Sequence, residues 1–251
     1  MADRHPWKKR AEQMALGAGA VRGTAQGELL PSEGQLGEAD FFPTPDWCIE
    51  GLLQVCPPPR FTCGDAIHGR DMVVLEPAAG SGAIVRLLLA ADYQVRALEI
   101  RPRALPELRK LCPAEWGCWL RFSEPGRGYP ELVKLCGCEL NRVAICTNPP
   151  YAIARDFVMQ ALLTPSPWVA MLLRVDVLAS RPWDAIFGTG RRTPDCRPQP
   201  PRCPGTLTPP TTIAHLRRRP SFSGDGNTSM SNYAWLIWEV GKEPIDMRPI
   251  G

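Results

Sequence analysis

Two short stretches of this 251-residue chain carry residue types and spacings that chemistry needs. The first is Val73-Val74-Leu75-Glu76-Pro77-Ala78-Ala79-Gly80-Ser81-Gly82, an apolar run that ends on a carboxylate and turns through small residues. Gly80 and Gly82 let the backbone bend sharply and approach a ligand without interference from a Cβ. A carboxylate beside such a turn repels phosphate. Glu76 therefore favours a cationic ligand, such as the ammonium or sulfonium of S-adenosylmethionine. Glu99 ends the next apolar run, where a carboxylate can accept bonds from two ribose hydroxyls. Together these positions point to a nucleoside cofactor with a positively charged end.

The second stretch is Thr147-Asn148-Pro149-Pro150-Tyr151, directly after the apolar residues 143–146. An exocyclic amine is a poor nucleophile because its lone pair is delocalised into the ring or carbonyl beside it. Two acceptors on its two hydrogens draw the nitrogen toward a tetrahedral geometry and stabilise the positive charge that grows there. Asn148 offers a side-chain oxygen, and Pro149 offers a main-chain carbonyl on a stretch stiffened by Pro150. Tyr151 supplies an aromatic face for a planar substrate held out of its stack. No general base of shifted pKa is needed before methyl transfer.

Both stretches need a scaffold that brings strand ends to one edge. Residues 72–76, 95–100, 142–147 and 168–175 read as strands, with a weaker one at 118–122. Helical spacing predicts helices over 83–91, 104–111 and 153–163. An amphipathic helix carrying Trp47, Ile49, Leu52 and Leu53 comes first and is ended by Pro57-Pro58-Pro59. Strands alternating with helices predict a parallel sheet with helices on both faces. The rhythm then changes. Residues 212–216 and 233–240 read as strands joined by a Gly/Ser/Asn-rich loop with no room for a long helix, so one strand is expected to be antiparallel. Ligands of such open sheets bind outside the carboxyl ends of the strands, the edge on which Glu76, Glu99 and Asn148 fall.

Residues 1–39 show no sustained period and read as a flexible arm, 40–241 as one catalytic domain, and 242–251 as a tail. Inside the domain, about 188–211, lies a Pro/Arg-rich insertion. Between positions 181 and 219 eight arginines stand against Asp184 and Asp195. Arginine gives this region affinity for phosphates, and proline is expected to deny it regular structure. The net charge of +3 is too small by itself to announce a nucleic-acid partner. The ten cysteines are scattered, with Cys136-Gly137-Cys138 the one close pair and His5, His68 and His215 far from it. Reduced, partly buried thiols and no metal site are expected. No apolar stretch approaches a membrane span, and the Ala/Gly run at 15–21 is too weak for a secretory signal, so a cytoplasmic location is expected, in a bacterium or a phage-infected cell.

Glu76-Pro77-Ala78-Ala79-Gly80-Ser81-Gly82 and Asn148-Pro149-Pro150-Tyr151 resemble motifs I and IV of the amino-methyltransferases, especially those acting on adenine N6 in DNA. Phe42-Pro43-Thr44-Pro45 resembles their motif X, and the order X, I, IV matches the gamma arrangement. Arg219-Pro220-Ser221-Phe222 followed by Tyr233-Ala234-Trp235 is similar to small phage and prophage members. The resemblance implies a Rossmann-like sheet of about seven strands, mostly parallel with one antiparallel strand. It implies S-adenosylmethionine as cofactor, held by Thr44, Pro45, Glu76, Pro77, Ala78, Gly80, Gly82, Glu99, Ile100, Ser123 and Asn148. It implies catalysis by Asn148, Pro149, Pro150 and Tyr151. The partner it implies is DNA, as a duplex with a flipped adenine, met by Phe222 and the basic run Arg217-Arg218-Arg219. Members that read a defined site usually carry a target-recognition domain after the catalytic one. Here readout is expected from the Arg-rich segment, the N-terminal arm or a partner subunit.

Four other readings remain open at this point. A glutamine methyltransferase of the release-factor type uses the same Asn-Pro-Pro-Tyr logic, although residues 1–40 look too short and glycine-rich for the helical recognition domain such enzymes carry. RNA amines pose the same chemical problem. Cytosine N4 is less favoured, since a Ser usually opens that version of the motif. A non-catalytic DNA-binding protein, such as an anti-restriction factor, is a different class of reading, opposed by intact Glu76, Glu99, Asn148 and Tyr151.

Overall fold

The computed structural model describes residues 43–60, 72–122, 129–187, 207–222 and 229–245. The arm at 1–39, Phe42, Ser123, most of the Pro/Arg insertion and the tail from 246 lie outside the described residues.

Runs of Val, Ile, Leu and Ala that are apolar at every position can hide both their faces only in the middle of a sheet. β1 (Val73–Glu76) and β4 (Val143–Thr147) are buried at every residue, and β5 (Trp168–Arg174) at all but the last. They lie side by side at the centre of a seven-stranded sheet of order β3-β2-β1-β4-β5-β7-β6. β2 (Gln94–Glu99) pairs parallel with β1, placing Glu76 beside Ala97, and β3 (Ala114–Trp116) pairs parallel with β2. On the other side β4 and β5 continue in parallel. β7 (Tyr233–Glu239) runs antiparallel between β5 and β6 (Thr212–His215). The expected fold class is thus present: one strand runs against the rest.

Helices cover both faces. On one side α1 (Asp46–Val55), α2 (Ala83–Ala90) and α3 (Leu105–Leu111) pack on Val74, Val95, Ala97 and Leu172. On the other, α5 (Tyr129–Cys136) and α6 (Ala154–Leu163) pack on Val73, Ile145, Val169 and Leu236. Two tryptophans of β7 tie the layers together with polar handles. The Trp235 indole N–H donates to the Cys48 carbonyl at 2.8 Å, and that of Trp238 donates to the Thr208 carbonyl at 2.8 Å. Burial pushes the thiols of Cys48 and Cys136 up to about 12, so they sit in the core as protonated, unreactive groups. No helix among the described residues is long and apolar enough to cross a membrane.

Three expectations are corrected. The third strand is not at 118–122 but at Ala114–Trp116, and Trp119–Phe122 forms a short helix, α4. Trp119 is buried there and its indole donates to the Phe157 carbonyl at 3.3 Å, an anchor that one helical turn provides and an edge strand would not. α5 was not expected; Pro130 sits in its first turn, where the missing N–H costs nothing. The start of the Arg-rich region is regular as well. A turn at Arg181–Trp183 leads into a short helix, α7 (Asp184–Phe187), with the Trp183 and Phe187 rings stacked at 5.7 Å. Its far end is also packed: Thr208 is buried, and the Thr211 N–H donates to the Ile237 carbonyl at 2.8 Å.

Candidate active site

The chain reverses direction between β1 and β4: β2 and β3 extend the sheet on one side of β1, and β4 starts its growth on the other. A crevice must open above the carboxyl ends at such a switch point. There the structure has a cleft of about 870 Å3, counting its open mouth. Each strand that ends beneath it delivers a polar group. β1 delivers Glu76, β2 delivers Glu99, and the turn after β4 delivers Asn148 and Pro149.

The turn after β1 is fastened to β2. The Ala79 N–H donates to the Leu98 carbonyl at 3.0 Å, and the Gly80 N–H donates to Glu99 Oε2 at 2.6 Å. Gly80 has φ 54°, which orients its amide toward that carboxylate and favours glycine. Glu99 is 1% exposed, and its other oxygen, Oε1, accepts from the Arg101 N–H at 2.9 Å and from Arg101 Nε at 3.1 Å. Glu76 is 2% exposed, and its Oε2 has no hydrogen-bond partner among the described residues. Burial first, and the nearby Glu99 second, push the Glu76 carboxyl well above its ordinary range, with the Val85 amide and Arg86 pulling weakly the other way. A buried acid with an orphaned oxygen is costly to the empty protein. A cation placed against it removes that cost.

Asn148, Pro149 and Pro150, after the neighbouring strand β4, form a further wall of the cleft. Tyr151 is not on that wall. It stands behind it in a cluster of three rings, 5.5 Å from Tyr233 and 6.2 Å from Phe222 in an edge-on contact. Phe222 and Tyr233 are themselves 5.1 Å apart, edge to face. Burial and Tyr233 hold the Tyr151 hydroxyl far above its usual range, while the neighbouring Asn148 side chain works against them. The phenol is therefore neutral and stands beside the Asn148 side chain. Ser229 continues the chain, its hydroxyl 3.2 Å from that of Tyr233.

Eight of the residues expected around a cofactor line one cleft: Thr44, Glu76, Pro77, Ala78, Gly80, Glu99, Ile100 and Asn148. Two do not. Pro45 instead caps α1, its carbonyl accepting from the Cys48 N–H at 3.0 Å. Gly82 caps α2 in the left-handed region, at φ 78°, facing Leu108 and Leu111 of α3 rather than the cleft. Ser123 lies outside the described residues. The structure moves the position that follows the third strand to Gly117-Cys118-Trp119, which lines the cleft; the misplaced strand had concealed it. Arg101, Ile153 and Phe157 also line the cleft and carried no sequence signal. Arg217, Arg218 and Arg219 are exposed and lie off the cleft wall. Arg218 stacks over the Trp47 ring at 4.3 Å, and Arg219 Nε donates to Asn232 Oδ1 at 3.3 Å.

No protein-family model matches the chain, and no curated protein matches it. Solved structures similar to it include a 23S rRNA methyltransferase, ErmE, 16% identical, with 81% of this chain and 71% of that one covered and a TM-score of 0.48. A dimethyladenosine transferase from Plasmodium falciparum is 10% identical over 79% of this chain and 63% of its own, with a TM-score of 0.47. An RNA methyltransferase from Salinibacter ruber, solved with S-adenosyl-L-homocysteine, is 13% identical over 82% and 98%, with a TM-score of 0.38. Similarity at this level decides neither activity nor substrate, which have to come from the side chains around the cleft.

Proposed function

We propose that this protein transfers a methyl group from S-adenosylmethionine to the exocyclic N6 amine of adenine in DNA. The reading is carried by one juxtaposition. A single cleft is lined both by a buried carboxyl with an orphaned oxygen and by Asn148-Pro149-Pro150, delivered by the neighbouring strands β1 and β4. The donor set fits the cofactor: Glu76 suits a cationic group, Glu99 suits a ribose, and the uncharged Ile100 and Gly117, which line the same cleft, suit a nucleobase. When bound, the cofactor supplies an electrophilic methyl group on a sulfonium.

The chain's own residues do the rest. Asn148 Oδ1 and the Pro149 carbonyl accept the two hydrogens of the amine, localise its lone pair and stabilise the growing positive charge. Pro149 and Pro150 fix that carbonyl without needing a backbone donor of their own. The neutral Tyr151 phenol packs beside Asn148 and limits where its amide can swing. Tyr151 and Phe222, packed in the ring cluster behind the wall of Asn148, Pro149 and Pro150, brace it against a base turned out of its stack. DNA as the substrate is supported by the motif resemblance and by exposed Arg217, Arg218 and Arg219, which can contact phosphates.

The test is incubation with S-adenosylmethionine labelled in the methyl group, separately with unmethylated duplex DNA, RNA and protein, followed by nucleoside or residue analysis. The expected result is label in N6-methyladenine from DNA. Asn148→Ala should lower that rate by about 10²–10³-fold, the loss typical of one acceptor or donor at a developing charge. Label confined to RNA would keep the chemistry and overturn the substrate; label in glutamine would do the same.

A further inference from the structure

A carboxylate has about four acceptor positions. In this structure three of those on Glu99 are taken. Gly80 N–H uses one on Oε2, and the Arg101 N–H and Nε use both on Oε1. The two bonds from backbone amides belong to the turns that build the site and cannot leave without unfolding them. The bond from Arg101 Nε is different. Its side chain is 21% exposed against 1% for Glu99, it lines the cleft, and it projects from the short loop between β2 and a turn at Pro102–Ala104. A ribose presents two vicinal hydroxyls, and with Arg101 in place Glu99 has one acceptor position left for them. With the guanidinium withdrawn it has two, one on each oxygen.

We propose that Arg101 is a latch at the ribose end of the cleft, competing with the cofactor's hydroxyls for Glu99 and so setting how tightly a nucleoside is held. The inference rests on the methyltransferase reading above, which assigns a ribose to Glu99. It reverses the usual expectation for an arginine paired with a buried acid. Were Arg101 there to position Glu99, removing it would weaken binding; as a competitor, its removal strengthens binding.

The experiment measures affinity and association rate for S-adenosylmethionine and S-adenosylhomocysteine, by calorimetry and stopped flow, in the parent and in Arg101→Ala. The latch predicts affinity about three- to tenfold tighter in the variant, expressed mainly as faster association. It predicts the same gain for both ligands, which share the ribose but not the charge. A gain restricted to the sulfonium ligand would be a general charge effect and would overturn the latch. So would unchanged or weaker binding in a variant whose melting temperature matches the parent. Should Arg101→Ala fold poorly, Arg101→Lys takes its place, since a lysine lacks the Nε donor. Glu99→Gln provides the control: the gain from altering Arg101 should disappear in that background, as a cycle of two coupled residues requires. If the parent binds neither ligand, the methyltransferase reading itself fails, and the latch fails with it. A binding parent with no gain sinks the latch alone.

Discussion

Glu76→Gln should make the empty protein more stable and the loaded protein worse. The Glu76 carboxyl is 2% exposed, its Oε2 lacks a partner, and burial with help from Glu99 raises its pKa well above 4.5. A folded-state pKa above the unfolded one means that the folded chain holds a proton the unfolded chain has already lost. The group's contribution is then fully present below pH 4.5 and is lost as pH rises toward the folded value. Within that window each pH unit removes about 1.4 kcal/mol. In a domain of this size about 1 kcal/mol moves the melting temperature by roughly 2–4 °C. The parent should therefore lose about 3–6 °C per pH unit relative to Glu76→Gln across the window. Differential scanning fluorimetry of both proteins, without ligand, from about pH 5 to pH 8 reads this directly. Binding of a cationic ligand should release a proton from Glu76, so affinity rises with pH in the parent and stays flat in the variant. Calorimetry in buffers of different ionisation enthalpy detects the proton. Melting curves that run parallel at all pH values, or a variant that binds S-adenosylmethionine as tightly as the parent, would refute the reasoning.

Other substitutions test the scaffold around that carboxylate. Gly82→Ala forces a left-handed φ of 78° on alanine and brings its Cβ to 3.0 Å from Leu108 and Leu111. A loss of about 1–3 kcal/mol in urea unfolding is expected. Gly117→Ala drives a Cβ into the Phe122 ring beside the cleft; cofactor affinity should fall, and adding Phe122→Ala should restore part of it. Phe222→Leu keeps most of the buried volume but removes the ring that meets Tyr151 and Tyr233 edge-on. It should cost less than about 1.5 kcal/mol of stability and raise KM for the proposed DNA substrate while leaving affinity for S-adenosylmethionine as it was.

The central strands were legible because β1, β4 and β5 are buried on both faces and so must be apolar throughout. β3 was not, for the opposite reason. It is a three-residue edge strand in which Glu115 and Trp116 face solvent, so it carries neither length nor alternation. Its neighbour Trp119–Phe122 is more apolar and drew the assignment to itself. That error shifted one expected cofactor contact to Ser123 and hid Gly117. Glu76, Glu99 and Asn148 were legible because each follows directly on a strand, and chain order fixes which edge a strand end reaches. Arg101 was not, since a lone arginine two residues beyond a strand has no pattern until the folded chain shows what it touches. Gly82 was read as a ligand contact when its neighbours are leucines; a positive φ has the same sequence signature whether the missing Cβ makes room for a ligand or for a helix.

The place of β7 in the sheet bears on when the protein can work during its synthesis. β7 lies between β5 and β6 although it follows both in the chain. A nascent chain that has emerged through residue 222 has an open β5 edge and a β6 with no partner. The same strand supplies the Trp235 indole that holds the Cys48 carbonyl 187 residues upstream, and with it the helix that follows the cleft residues Pro43 and Thr44. The wall of the cleft formed by Pro43 and Thr44 is thus tied down by a strand made long after it. A chain stopped before residue 233 would leave the β5 edge unpaired and present the apolar run 168–173 to whatever else is folding nearby.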